Sequence, residues 1–225
     1  MRDHGRPGAV SLDGSVVEVR MSGAEGGKPW RRWVPPLVVL LLWGTARVGK
    51  GAASRSPAGR GVRYDPARYA AQVREHAKQA GINPQLLMAI LCNEAYKPHG
   101  PALERCWQRL KPGSSFGIAN MHRAAFDATK RGRDFASRRW EELPDDRDLA
   151  LRAAAWHLHD LAARLGTGGG AGSGLSRDEL LALGYNAGAG NMLAFARGVR
   201  PGRTARSYLR RLRANWSRAH EAVRS

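Results

Sequence analysis

Apolar positions along residues 82–96, INPQLLMAILCNEAY, recur at helical spacing, so that Leu87, Ile90, Leu91 and Glu94 share one face. Asn83 supplies an N-cap and Pro84 takes the first helical position, where its missing N–H costs nothing. The spacing therefore predicts a core helix whose apolar stripe ends in a carboxylate. Upstream, Asp65-Pro66 caps a helix that runs to Gly81, a C-terminal stop. Downstream, the pattern predicts a short helix over 101–110, a loop over 111–117, and a helical run from Asn120 or Met121 through Ala128. A short helix over 135–143 is ended by Pro144. Asp145 and Asp146 introduce the longest periodic stretch, with Leu151, Ala154, Leu158, Leu161 and Leu165 on one stripe. Residues 166–174, GTGGGAGSG, form a flexible loop, a lid or a spacer. Ser176 and Glu179 make a capping box for a helix leading to Tyr185, followed by a short helix over 190–197 and a basic one over 204–223. No stretch alternates with period two for any length and no repeat of fixed period occurs. The fold class expected is all-α, or α with a token hairpin.

The first sixty residues follow different rules. Residues 1–29 are polar and lack apolar periodicity, which predicts disorder. Residues 30–53 have the layout of an export signal: Arg31 and Arg32 flank an eleven-residue apolar run, 33–43, with small residues after it. That run is too short to span a bilayer, which takes about 20 apolar residues. The competing reading is a short buried or interfacial helix. Met21 is a candidate start, 54–61 a linker and 62–225 the single folded domain. Export to the wall or the extracellular space is expected, with or without tethering by an uncleaved signal.

Charge narrows the partners only partly. Lys and Arg number 37 against 19 Asp and Glu, and six of the basic residues are lysine. Such an excess suits anionic polymers, which include nucleic acid, lipid headgroups and acidic wall polymers, and arginine codon bias is the bland account of roughly half of it.

Glu94 is the feature to explain. A glutamate at the C-terminal end of an apolar helix meets low-dielectric surroundings and the negative end of the helix dipole, and both oppose its ionisation. A carboxyl kept protonated near neutrality suits general-acid cleavage of a glycosidic bond. The bland alternative is a carboxylate turned to solvent at a fraying helix end. Cys92 and Cys106 bracket this segment; in an exported protein they are a candidate disulfide, and in a reducing compartment two free thiols. They make no metal site, because no second Cys/His pair lies at ligand spacing. His157 and His159 point about 200° apart on a helix and cannot share an ion. No phosphate-binding glycine loop and no GxSxG occur, and no metal or cofactor is expected. Two further segments stand out. SSFGIAN, 114–120, places small residues and a glycine against an amide. GYNAGAGN, 184–191, sets a tyrosine and an amide at the end of an apolar helix, and reads by itself as a glycine-rich helix–helix turn.

Together these three segments resemble the soluble lytic transglycosylase domain, a family related to goose-type lysozyme. In that family a helix of pattern xPxLLxAIxxxES carries the catalytic glutamate, a GLMQ segment follows, and an AYNAG segment comes later. The matches here are INPQLLMAILCNEA with Glu94, FGIANM with Gly117 and Asn120, and GYNAGAGNM with Tyr185 and Asn186, in the same order, over about residues 64–216. Ala95 stands where serine is usual, Asn120 where glutamine is common, and the stretch from Glu94 to Gly117 is longer than usual and carries Cys106. The resemblance implies a lysozyme-like domain with a glycan-binding groove and cleavage of the MurNAc-β-1,4-GlcNAc bond of peptidoglycan. It makes Glu94 the acid and base, with Tyr185 beside it and Ser115, Gly117, Asn120 and Asn186 lining the groove. Peptidoglycan strands, with anionic wall polymers beside them, are the implied partners, and the protein is expected to act as a monomer. A muramidase on the same fold and a non-catalytic wall-binding or secretion-associated protein are the alternatives. Nucleic-acid binding ranks last, since nothing beyond charge supports it.

Overall fold

The computed structural model describes residues 64–224 apart from Pro98, Gly168, Gly169 and Ala171. The expected disordered segment, signal and linker, and part of the 166–174 loop, lie outside the described residues. No helix among the described residues is long and apolar enough to cross a membrane.

The order is helical with one minimal hairpin: a 3-10 turn Pro66–Tyr69, α1 Ala70–Ala80, α2 Pro84–Glu94, α3 Pro101–Leu110, β1 Ser115–Phe116, β2 Met121–His122 and α4 Arg123–Thr129. A second 3-10 turn, Trp140–Glu142, is followed by α5 Arg147–Leu165, α6 Arg177–Ala187, α7 Ala189–Ala196 and α8 Arg203–Arg224. The local start signals act as such. Asn83 Oδ1 accepts from Gln85 N at 2.9 Å with Pro84 in the first turn. Asp146 Oδ1 accepts from Leu149 N, and Ser176 and Glu179 close a reciprocal capping box.

α2 is the axis of the fold. It packs chiefly along α8 and also against α1 and α6. Every residue from Leu86 to Leu91 is fully buried, so the expected one-sided stripe is a helix surrounded on all sides. α5 covers α1, α4 and α6, and its buried leucines include the predicted stripe. Helices α6 and α7 meet across Gly184, where a Cβ would stand 2.7 Å from Met192 Sδ. The 184–191 segment is thus a helix–helix turn that also carries Tyr185.

Two expected elements differ. The run expected from Asn120 or Met121 starts as strand, because 121–122 pair antiparallel with 115–116 in the register Ser115↔His122 and Phe116↔Met121. Helix α4 begins only at Arg123. The helix expected over 135–143 is a chain of turns ending in the 3-10 segment. There Trp140 is buried, its indole N–H donating to the Met121 carbonyl at 2.9 Å. That long-range bond fixes the segment against the hairpin, and the Glu142 carboxylate takes the Arg139 N–H at 2.7 Å.

Helix α3 is inside out. Its buried side chains are Glu104 and Gln108, while Leu103, Trp107 and Leu110 are 47%, 42% and 71% exposed.

Candidate active site

Glu94 is the last residue of α2 and its side chain is turned inward, only 5% exposed. Its Oε2 accepts a 2.7 Å hydrogen bond from Asn120 Nδ2. Burial raises the pKa of the carboxyl, opposed by the Asn120 hydrogen bond, the Lys97 ammonium, Tyr208 and Arg211.

The amide that meets Glu94 is oriented by two donors on its other side. Ser115 Oγ donates to Asn120 Oδ1 at 2.6 Å, and Lys97 Nζ donates to the same oxygen and, at 3.3 Å, to Ser115 Oγ. With Oδ1 occupied by donors, Nδ2 is the atom left for Glu94. Burial pulls the Lys97 pKa down, and the Glu94 and Glu104 charges oppose that.

Asn120 is held in a left-handed backbone conformation, φ 52°, at the end of the hairpin turn, its N–H donating to the Gly117 carbonyl at 2.8 Å. Asparagine tolerates that region better than most residues. The turn is pinned from two directions. Gly117 N donates to Glu104 Oε2 at 2.7 Å, and the Tyr185 hydroxyl donates to the Ala119 carbonyl at 2.6 Å. Gly117, at φ 74°, also lies so close to Leu143 that a Cβ would sit 3.0 Å from its carbonyl oxygen.

Glu104 and His99 complete the support. His99 Nδ1 is 3.0 Å from Glu104 Oε1, and His99 Nε2 is 3.1 Å from the Glu94 carbonyl oxygen. A carbonyl only accepts, so Nε2 carries a proton. Nδ1 then either carries a second proton opposite a Glu104 carboxylate or accepts one from a protonated Glu104. Both Glu104 oxygens are engaged.

Of the residues singled out in the sequence, Glu94, Ser115, Gly117 and Asn120 come together. Tyr185 supports the turn rather than bonding to Glu94; its hydroxyl pKa is raised by burial and, less, by the Glu94 charge. Asn186 is exposed at the end of α6 and makes no side-chain hydrogen bond into this network. The tyrosine beside the Glu94 carboxyl is Tyr208 of α8, whose buried hydroxyl has no hydrogen-bond partner of good geometry and whose pKa is raised by burial and then by Glu94. Lys97, His99, Glu104 and Tyr208 carry no motif of their own. The sequence signals are an amphipathic pattern in α8 with Tyr208 on its apolar side, and an acid beside the apolar row of the short amphipathic helix α3.

The candidate disulfide is not formed: Cys92 and Cys106 are free thiols. Cys92 is half-buried near Arg218 and Asp65, where burial pushes its thiol pKa up, whereas Cys106 is exposed on α3. The tie expected between these two helices is made by His99 and Glu104 instead. His157 and His159 serve the core separately. His157, lowered to about 4 by burial, packs edge-on to Tyr185, and His159 Nδ1 lies 2.8 Å from the Ala80 carbonyl oxygen. Among the described residues no three His, Cys, Asp or Glu side chains gather at metal-binding spacing.

Two hollows meet at Lys97 and His99. One, of ≈ 320 Å³, is walled by Leu103, Trp107 and Phe116 and reaches Ser115 and Asn120. The other, of ≈ 920 Å³, extends past Tyr96 to Tyr69 and Arg147. In comparisons with known proteins, the chain matches no family model, no curated protein and no solved structure.

Proposed function

We propose that this chain is a peptidoglycan lytic transglycosylase with a lysozyme-like helical domain, exported to the wall, acting as a monomer and without a cofactor. The observation that carries the reading is the buried Glu94 carboxyl, disposed by burial to hold its proton and aimed by Asn120. The motif resemblance around Glu94, Gly117 and Tyr185 supports the same assignment.

In the proposed reaction Glu94 donates its proton to the glycosidic oxygen as the C1–O bond to the departing GlcNAc breaks. The Glu94 carboxylate then takes the proton from the muramyl 6-hydroxyl, whose oxygen bonds to C1. The product is a 1,6-anhydro sugar, Glu94 is protonated again, and no water is consumed. Asn120 hydrogen-bonds the carboxylate between the two steps. A two-carboxylate hydrolase needs a second acid about 5–9.5 Å from the first, free to attack as nucleophile at the short end of that range or to activate water at the long end. Glu104 is the second acid bordering this region, and its oxygens are committed to His99 and Gly117, which favours the internal 6-hydroxyl over water. Leu103 and Trp107 offer an apolar platform for a sugar face beside Ser115 and Asn120.

Mass spectrometry of soluble products from purified peptidoglycan tests the reading. Anhydro-muramyl fragments that vanish with Glu94→Gln are expected. Reducing-end fragments would make the protein a muramidase, and wall binding without fragments would make it a binding module.

A further inference from the structure

Lys97 is a cation set close to the Glu94 carboxyl without an ion pair to it. The turn that leaves α2 brings the two residues together, the Lys97 N–H donating to the Glu94 carbonyl at 3.2 Å. The Lys97 side chain then reaches the oxygen side of the Asn120 amide, where Nζ donates to Oδ1 and to Ser115 Oγ. The nitrogen of the same amide donates to Glu94 Oε2. One planar amide therefore joins the ammonium to the carboxyl.

That ammonium is more than the amide needs for its orientation. Ser115 Oγ already donates to Asn120 Oδ1 at 2.6 Å, which is enough to turn Nδ2 toward Glu94. Lys97 is half-buried where the two hollows meet, and it has no carboxylate within ion-pair distance among the described residues. A cation partly withdrawn from water without a counter-ion carries a desolvation cost. Its charge has a use in the proposed reaction, where Glu94 is a buried carboxylate between giving up one proton and taking the next. A cation in direct contact would hold that carboxyl ionised and leave no acid. With no cation nearby, burial would make the ionised form too costly to reach. An ammonium one amide away lies between these extremes. Because the two ends of an amide are conjugated, a charged donor on its oxygen makes its N–H a stronger donor in turn.

We propose that Lys97 is a positioning residue for the acid, its charge passed through the Asn120 amide to the carboxylate that forms as the glycosidic bond breaks. This rests on the reading of Glu94 as the wall-cleaving acid, but the link itself can be measured without turnover. Arg211 and Tyr208 from α8, Tyr185 from α6 and Tyr96 beside the helix end are the other charged or titratable groups that face Glu94, and Glu104 is the second acid that faces Lys97.

The test titrates the Glu94 carboxyl by carbon NMR in the full chain with 13C-labelled glutamate, the resonance being assigned by its loss in Glu94→Gln. Lys97→Gln keeps an N–H donor for Asn120 Oδ1 and removes the charge. It should raise the Glu94 pKa, with a roughly tenfold fall in the ionisation constant, whereas Lys97→Arg should stay near wild type. An unmoved titration in Lys97→Gln overturns the proposal. Lys97→Met, with Ser115 still holding the amide, repeats the measurement should Lys97→Gln fail to fold. In an Asn120→Gly background the effect of Lys97→Gln should shrink; an equal or larger effect there overturns the passage of charge through the amide. On peptidoglycan, the basic limb of kcat/KM should move to higher pH in Lys97→Gln and kcat should fall while KM holds. A change confined to KM would make Lys97 a substrate contact and overturn its positioning role. A moved titration in a protein that cuts no glycan would uphold the link and overturn the reading of Glu94 as the wall-cleaving acid.

Discussion

Asn120 donates to Glu94 at 2.7 Å from a left-handed backbone position, φ 52°, that few side chains occupy without strain. The backbone and the amide have separate effects, and two substitutions separate them. Asn120→Gly keeps the conformation and removes the donor; Asn120→Ala removes the donor and adds strain of about 1–2 kcal/mol. The Asn120 hydrogen bond lowers the Glu94 pKa, so in Asn120→Gly that pKa should rise further. Activity that requires protonated Glu94 falls as pH climbs through it, so the basic limb of kcat/KM should move to higher pH. Lys97, Arg211 and Tyr208 still face the carboxyl in the variant. An unmoved limb would remove Asn120 from control of the acid.

Glu94 should weaken the fold at neutral pH. Burial raises its folded pKa above the unfolded value, so the native state holds the proton more tightly. Stability therefore falls as pH rises from the unfolded pKa through the folded one, and the loss is complete above it. Glu94→Gln removes the penalty, and its amide can turn its oxygen toward Asn120 Nδ2. Urea unfolding should find this variant more stable than wild type at pH 8 by on the order of 1 kcal/mol, with the difference closing toward pH 4. A less stable variant at pH 8 would mean that Lys97 and Arg211 outweigh desolvation.

The Glu104 carboxyl holds the turn that presents Asn120. Glu104→Ala leaves Gly117 N–H and His99 unpaired in a buried place, an expected loss of about 3 kcal/mol, and should slow catalysis through a displaced Asn120. Glu104→Gln can still accept from Gly117 and donate to a neutral His99, so most stability should survive. Equilibrium unfolding of both variants checks this, and equal losses would show that the contact is about charge rather than hydrogen bonding.

What was legible in the sequence was local. Asn83, Asp146 and the Ser176–Glu179 pair announce helix starts because a cap joins residues two or three apart. Glu94 was legible because it interrupts the apolar period of its own helix. The β1–β2 pairing and the 3-10 turn depend on bonds across the fold, such as Trp140 to Met121, and no local pattern specifies them. Glu104 was hidden for a different reason. Leu103, Trp107 and Leu110 have the spacing of a core stripe, yet α3 buries the adjacent side, where the Glu104 carboxyl meets Gly117 and His99. Tyr208 was hidden among arginines that dominate the reading of α8.

The inverted face of α3 makes the last prediction. Trp107 is 42% exposed, lies under the Lys111 ammonium at 4.8 Å, and walls the hollow that reaches Asn120. Because so much of it is in water, Trp107→Ala should change stability by no more than about 0.5 kcal/mol. If the ring carries a sugar face, its loss should raise KM roughly tenfold, or 1.4 kcal/mol of binding, with kcat little changed. Trp107→Phe, which keeps an aromatic face, should recover most of that binding. Saturation kinetics on soluble glycan fragments separates the two constants. A fall in kcat at constant KM would place Trp107 in the chemistry, and no change in either would leave the apolar row of α3 outside the groove.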